Sequence, residues 1–235
     1  MNINNNNNNK LTENQSLFDS YNNFIISDDR NVFYKMVMRI KLYNMVSHLH
    51  GDIVECGVFK GSGLVLWMKI ISMYEPHSIK KVIGFDFFDP TFVDGLKDET
   101  DRKMMQQVFD RCDDMDSDDI SLTGIKNKIK KSGFEENKFE LVKGDISITS
   151  AEYIKDRPGF RISLLYLDLD IEEPTTDTLN NLWDIVLPGG LVVFDEYAYH
   201  KWSESNAVDI FIKENNLTLI NTNIQSPTAY IIKPT

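Results

Sequence analysis

Basic residues are in short supply. The 235-residue chain carries 25 Lys and Arg against 36 Asp and Glu, a formal net charge of −11. Nucleic-acid binding through a basic face needs Lys and Arg clustered against phosphates, so that class is excluded. Cysteine is scarcer still. Cys56 and Cys112 lie far apart and in no metal-ligand spacing, which fits a reducing, cytoplasmic setting. Cys56 sits in an apolar context and reads as a small core residue. Long apolar runs are missing too, and none approaches the roughly 18 residues of a membrane span. The opening MNINNNNNNK has no apolar centre of the kind a secretory leader carries. The expectation is therefore a cytoplasmic protein with neither nucleic acid nor membrane as partner.

What is present reads as one α/β domain. The first 20 residues form an Asn-rich leader with little apolar surface to bury, expected to be disordered. Residues 21–235 then make a single unit. Apolar positions Val32, Phe33, Met36, Val37, Ile40, Leu42, Met45 and Val46 recur at helical spacing. After them strands and helices alternate. GDIVECGV (51–58), KKVIGFDFF (80–88), FELVKGD (139–145), RISLLYLDLD (161–170) and GGLVVFDEY (189–197) read as strands. Residues 61–74, 174–186 and 205–215 read as helices, and LTLINTN and AYIIKP close the chain as an antiparallel pair. Continuous apolar strands alternating with helices imply a doubly wound sheet covered on both faces. A helical, acidic insertion at about 89–125 interrupts the alternation. It is either a solvated excursion or a lid over the site.

Ligands of such sheets bind beyond the carboxyl ends of the strands. The first turn there is ECGVFKGSG, residues 55–63. Its glycines, Gly57, Gly61 and Gly63, permit sharp turns and close approach of a ligand, and the following helix aims its free N–H groups outward. Glu55 is placed to accept from a ligand amine or hydroxyl. The spacing E-x-G-x-x-x-G-x-G is neither the dinucleotide fingerprint nor a P-loop. The second strand ends in Asp86, suited to ribose hydroxyls. The third ends in Asp145, which contacts an adenine amine or merely shapes a turn.

The fourth strand, LLYLDLD, ends in Asp168 and Asp170, and the fifth in Asp195 and Glu196. Two residues apart on a regular strand, Asp168 and Asp170 would share a face. If the two strands are neighbours, four carboxylates meet at one sheet edge, with no Lys or Arg in either segment to neutralise them. Such a cluster has raised pKa values or binds a cation, and an all-oxygen set suits Mg²⁺. The carboxylate left over from the metal, Asp170 or, with the two roles exchanged, Asp168, is the expected general base. His200 and Lys201 lie on the next loop, where His200 is either an exposed residue or a second proton-transfer group.

The combination of Glu55-x-Gly57, Asp86, Gly144-Asp145 and the LDLD and FDEY strand ends resembles class I S-adenosylmethionine-dependent methyltransferases. More narrowly, GDIVECGVFKGSG, LYLDLDIEEPTTDTL, LPGGLVVFDEY and AVDIF resemble the macrocin O-methyltransferase family, over about residues 50–215. The resemblance implies a Rossmann-like sheet of seven strands, mostly parallel, with an antiparallel last strand. It implies S-adenosylmethionine held at Glu55, Gly57, Lys60, Gly61, Ser62, Asp86, Asp145 and Asp168, and Mg²⁺ held by Asp168, Asp195 and Glu196. It departs from the family's usual pattern at Glu196, commonly Asp, and at Leu169, often Gly. The acceptor it implies is a small hydroxylated molecule, a sugar or a sugar-containing natural product. A catechol-like acceptor, or a non-catalytic cofactor-binding protein, are the competing readings. The oligomeric state stays open, a homo-oligomer included.

Overall fold

The structure is a computed structural model. It describes residues 5–110 and 116–235, giving backbone alone for 5–13 and 117. Two helices come first, α1 (Asn5–Ile26) and α2 (Asn31–Val46). There follow β1 (Asp52–Cys56), α3 (Ser62–Tyr74) and β2 (Val82–Asp86). A short 3-10 turn (Pro90–Gly95) leads to α4 (Glu99–Asp110) and α5 (Leu122–Lys131). The remainder is β3 (Phe139–Lys143), α6 (Ile146–Lys155), β4 (Ile162–Leu167), α7 (Glu172–Leu182), β5 (Val186–Phe194), α8 (Glu204–Glu214), β6 (Ile220–Asn221) and β7 (Ala229–Ile232).

One seven-stranded sheet runs in the order β3-β2-β1-β4-β5-β7-β6. Strands β1 to β5 are parallel, and β7 lies antiparallel to both β5 and β6. This is the expected doubly wound, mostly parallel sheet. Strand order reverses between β1 and β4, so a crevice opens there at the carboxyl ends. Each face has its own apolar layer. Leu42, Leu64, Trp67, Ile53 and Tyr166 pack on one side. Val54, Phe85, Leu165, Leu179, Phe194 and Val208, with Cys56, pack on the other. Cys112 lies outside the described residues.

Several boundaries differ from expectation. β4 stops at Leu167, so Asp168 and Asp170 stand beyond the strand, and Asp170 takes a left-handed φ of 67°. Strand alternation therefore does not position that pair. β5 ends at Phe194, one residue before the acids. α5 begins at Leu122, capped by the Ser121 hydroxyl accepting from Gly124 N at 3.0 Å. It is the crossover between β2 and β3, so the acidic insertion gives way to the sheet's own helix by residue 122. In the leader, where composition argued for disorder, the backbone is helical from Asn5. Side chains 14–20 are all exposed, so that part of the helix rests on local backbone hydrogen bonds. Helix α2 buries Met38, Arg39, Leu42, Tyr43 and Val46, while Val32, Phe33 and Val37 stay exposed.

Candidate active site

A cleft of about 1510 Å³ lies over the carboxyl ends of β1, β2, β4 and β5. The glycine turn forms one wall. Gly57 adopts a φ of 88°, and a Cβ there would come within 1.9 Å of the Asp168 carbonyl oxygen. The glycine is thus demanded by the neighbouring strand end, a constraint that sequence alone assigned to ligand approach. The Asp86 carboxylate organises the same turn. It accepts from Val58 N at 2.7 Å, Phe59 N at 3.1 Å and Phe88 N at 2.7 Å. Gly61 starts α3 with a left-handed φ of 82°. Lys60 lies over the Phe59 ring, and both line the cleft with Ser62. Asp145 lines it as well, and its carboxylate caps α6 by accepting from Ser147 N at 3.0 Å.

Glu55 is buried rather than offered to solvent. Its Oε1 accepts from Arg39 Nη2 at 2.8 Å, and both residues are only 2% exposed. The guanidinium lies 4.1 Å from the Tyr166 ring centroid and 4.9 Å from that of Trp67. Burial opposes the Arg39 charge, but Glu55, Tyr166 and Asp195 together outweigh it and hold the arginine above its usual range. The match is incomplete, since Arg39 Nη1 and Glu55 Oε2 are buried without partners. A Cβ on Gly63 would strike Glu55 Oε1 at 2.0 Å, so that glycine makes room for the pair.

Facing this wall are the acids. Phe194 pairs with Leu167 in the β4–β5 register, and Asp195 N donates to Leu167 O at 2.9 Å. Adjacent parallel strands therefore bring Asp168 and Asp195 together. Asp195 is fully buried and heavily engaged. It accepts from the Tyr166 hydroxyl and, at 2.7 Å, from the Ser226 hydroxyl. Lys35 of α2 completes the group, its ammonium 2.9 Å from Asp195 Oδ2 and 3.2 Å from Asp168 Oδ2. A neutralising base thus exists, and it comes from an element that the two acidic segments do not contain.

One ammonium leaves most of the acid uncompensated. Burial, then Asp195, pushes the Asp168 carboxyl up to about 6. Burial, then Asp168, Glu196 and Asp195, holds Asp170 well above the usual carboxylate range. Burial, then Asp195 and Asp168, pushes Glu196 up to about 8. A fifth carboxylate, Glu204 at the start of α8, is fully buried and is raised by burial and Asp170. Its Oε1 accepts from Glu196 N at 3.3 Å, and its Oε2 has no partner. Among the described residues, no three His, Cys, Asp or Glu side chains are arranged to hold a metal ion. Of the expected ligands Asp168, Asp195 and Glu196, the first two close on Lys35.

The insertion forms the outer wall. Met105, Val108 and Phe109 of α4 line the cleft. Asp101 of α4 accepts from the Ser203 hydroxyl at 2.8 Å, and that hydroxyl accepts from Glu172 N at 2.9 Å. Phe87 stacks on Phe92 at 4.7 Å, and Phe92 and Phe59 both meet Phe109 edge-on. His200 is exposed on the cleft rim, its ring beside Tyr199. Sequence reasoning missed Lys35, Arg39, Glu204 and Ser226. Lys35 and Arg39, one turn apart in the mostly apolar KMVMRIKLYNMV, were the available signal for the first two.

A sequence model described as macrocin-O-methyltransferase (TylF) matches residues 7–233. The chain belongs to the macrocin O-methyltransferase family. A curated relative is the 8-demethyl-8-(2,3-dimethoxy-alpha-L-rhamnosyl)-tetracenomycin-C 4'-O-methyltransferase of Streptomyces olivaceus, 26% identical over 149 residues. The alignment takes in 63% of this chain and 53% of that protein's length. Among solved structures, CalS11, a TDP-rhamnose 3'-O-methyltransferase of calicheamicin biosynthesis, is 24% identical with a TM-score of 0.61, covering 84% of this chain and 77% of that one. The O-methyltransferase NovP is 22% identical with a TM-score of 0.70, covering 86% and 80%. These two likenesses show the shared fold. No described helix is long and apolar enough to cross a membrane.

Proposed function

We propose that the protein transfers a methyl group from S-adenosylmethionine to a hydroxyl on the sugar of a natural product. The observation that carries this reading is one shared cleft. It joins the glycine turn after β1 to carboxylates at the ends of β4 and β5, so cofactor wall and acid wall face one another. The buried pair supports the cofactor. Arg39 Nη1 and Glu55 Oε2 lack partners beside the cleft, and the amino-acid head of the cofactor carries a carboxylate and an ammonium complementary to them. Asp86 and Asp145, with the Phe59–Phe87–Phe92–Phe109 cluster, flank the part suited to a nucleoside.

S-adenosylmethionine supplies a methyl already activated on sulfonium sulfur, so the protein's task is position and proton removal. Asp170, whose carboxyl burial and the neighbouring acids raise above the usual carboxylate range, takes the hydroxyl proton as general base. His200 on the cleft rim is the alternative acceptor of that proton. The all-oxygen donor set fits a hard divalent ion, and the partnerless Glu204 oxygen behind it marks a local deficit of positive charge. Asp168, Asp195 and Glu196 would hold Mg²⁺, which would lower the pKa of a bound acceptor hydroxyl.

The rhamnose-modifying relatives select the assay. The protein is incubated with S-adenosylmethionine and Mg²⁺, offering TDP-rhamnose, a rhamnosylated polyketide and a catechol separately, with products read by mass spectrometry. Methylation of a rhamnosyl acceptor supports the proposal. Methylation of the catechol alone replaces the acceptor class. Cofactor binding with no turnover on any sugar acceptor favours a non-catalytic protein.

A further inference from the structure

Lys35 sits between two carboxylates of the acidic cluster. Its Nζ lies 2.9 Å from Asp195 Oδ2 and 3.2 Å from Asp168 Oδ2, and those carboxylates are two of the three ligands proposed for Mg²⁺. An ammonium and a hard dication compete for the same oxygen lone pairs, and two cations a few ångströms apart in a poorly solvated site repel strongly. Both cannot occupy this group at once. The remaining partners of Asp195, the Tyr166 and Ser226 hydroxyls, are neutral and do not compete in that way.

The side chain is also built to leave. Lys35 stands in the second turn of α2, and its side chain is 32% exposed. A flexible four-carbon stem can swing the ammonium to water by rotamer change alone. Arg39, one turn further on, is locked between two rings and a carboxylate. The two bases on this helix face thus differ: one is fixed and the other has a route out.

We infer that Lys35 is the counter-ion the carboxylate site carries without metal, and that a divalent cation enters by displacing it. This rests on the metal reading above. The lysine holds Asp168 and Asp195 side by side before the ion arrives, at the expense of weaker metal affinity.

The test is calorimetric titration of the full chain with MnCl₂, for the wild type, Lys35→Met and Lys35→Arg. Lys35→Met should bind Mn²⁺ at least about tenfold more tightly, because the competing charge is gone. Lys35→Arg, which keeps the charge, should stay near the wild type. In chelator Lys35→Met should melt below the wild type, and Mn²⁺ should restore it. Lys35→Gln keeps a donor and carries the same expectation, so the test survives if Lys35→Met does not fold. Equal or weaker Mn²⁺ affinity in folded Lys35→Met overturns the exchange and leaves the metal site standing. No Mn²⁺ binding in any variant overturns the metal reading together with it.

Discussion

Breaking the Arg39–Glu55 pair from one side should destabilise the fold more than breaking it from both. The two side chains are each 2% exposed and joined at 2.8 Å. Arg39→Met keeps an unbranched stem against Trp67 and Tyr166 but leaves the Glu55 carboxylate buried without its cation. Stranding one member of a buried ion pair costs about 3–5 kcal/mol. In a domain of this size ~1 kcal/mol moves Tm by about 2–4 °C, so the expected fall is roughly 6–20 °C. Arg39→Met/Glu55→Met removes both charges and keeps the volume, and should recover most of the loss or exceed the wild type. Urea and thermal unfolding followed by circular dichroism complete the double-mutant cycle. The double variant should still lose affinity for S-adenosylhomocysteine, because the complement to the methionyl head is gone. The reasoning fails if Arg39→Met lies within about 1 kcal/mol of wild type, or if the double variant loses the sum of the two singles.

Three further outcomes follow from the site. Gly57→Ala places a Cβ 1.9 Å from the Asp168 carbonyl at a left-handed φ. It should lower stability by about 1–3 kcal/mol or more, and an unchanged melting curve would contradict that packing. Metal-free protein should lose stability as pH rises from about 5 to about 8. Glu196, pushed up to about 8 by burial and by Asp195 and Asp168, binds its proton more tightly when folded than when unfolded. Its protonated form stabilises the fold, and that stabilisation disappears as pH climbs above the ordinary glutamate range, about 4.3. Glu196→Gln should flatten this slope in thermal melts taken across pH, and an equal slope would remove Glu196 as its source. Asp170→Asn should abolish turnover while S-adenosylhomocysteine affinity changes by less than about threefold, since it removes proton acceptance alone. Retained turnover would move the base to His200, and His200→Ala would test that.

Topology was the legible part of this chain. Buried parallel strands are long apolar runs, and LLYL, VVF and IVEC announce themselves by composition. The strand-end acids were legible for the same reason, since charge at the tip of an apolar run stands out. What escaped was whatever depends on contacts between distant segments. Lys35 lies 133 residues before Asp168, and no periodicity links them. Gly57 was read as a ligand contact because the closeness of the Asp168 backbone exists only once β1 and β4 are paired. Asp170 was read as strand because nothing in LDLD announces that β4 stops at Leu167 or that Asp170 turns to a φ of 67°. Glu204 reads as an ordinary acid in a helix's first turn, and its burial behind the site has no sequence signature.

The most direct measurement is calorimetric titration of the full chain with S-adenosylhomocysteine. One site of micromolar affinity, lost in Arg39→Met/Glu55→Met and kept in Asp170→Asn, is the predicted result. A chain that folds and melts cooperatively yet takes up no S-adenosylhomocysteine would contradict the assignment of the cleft, and with it the proposed methyl transfer.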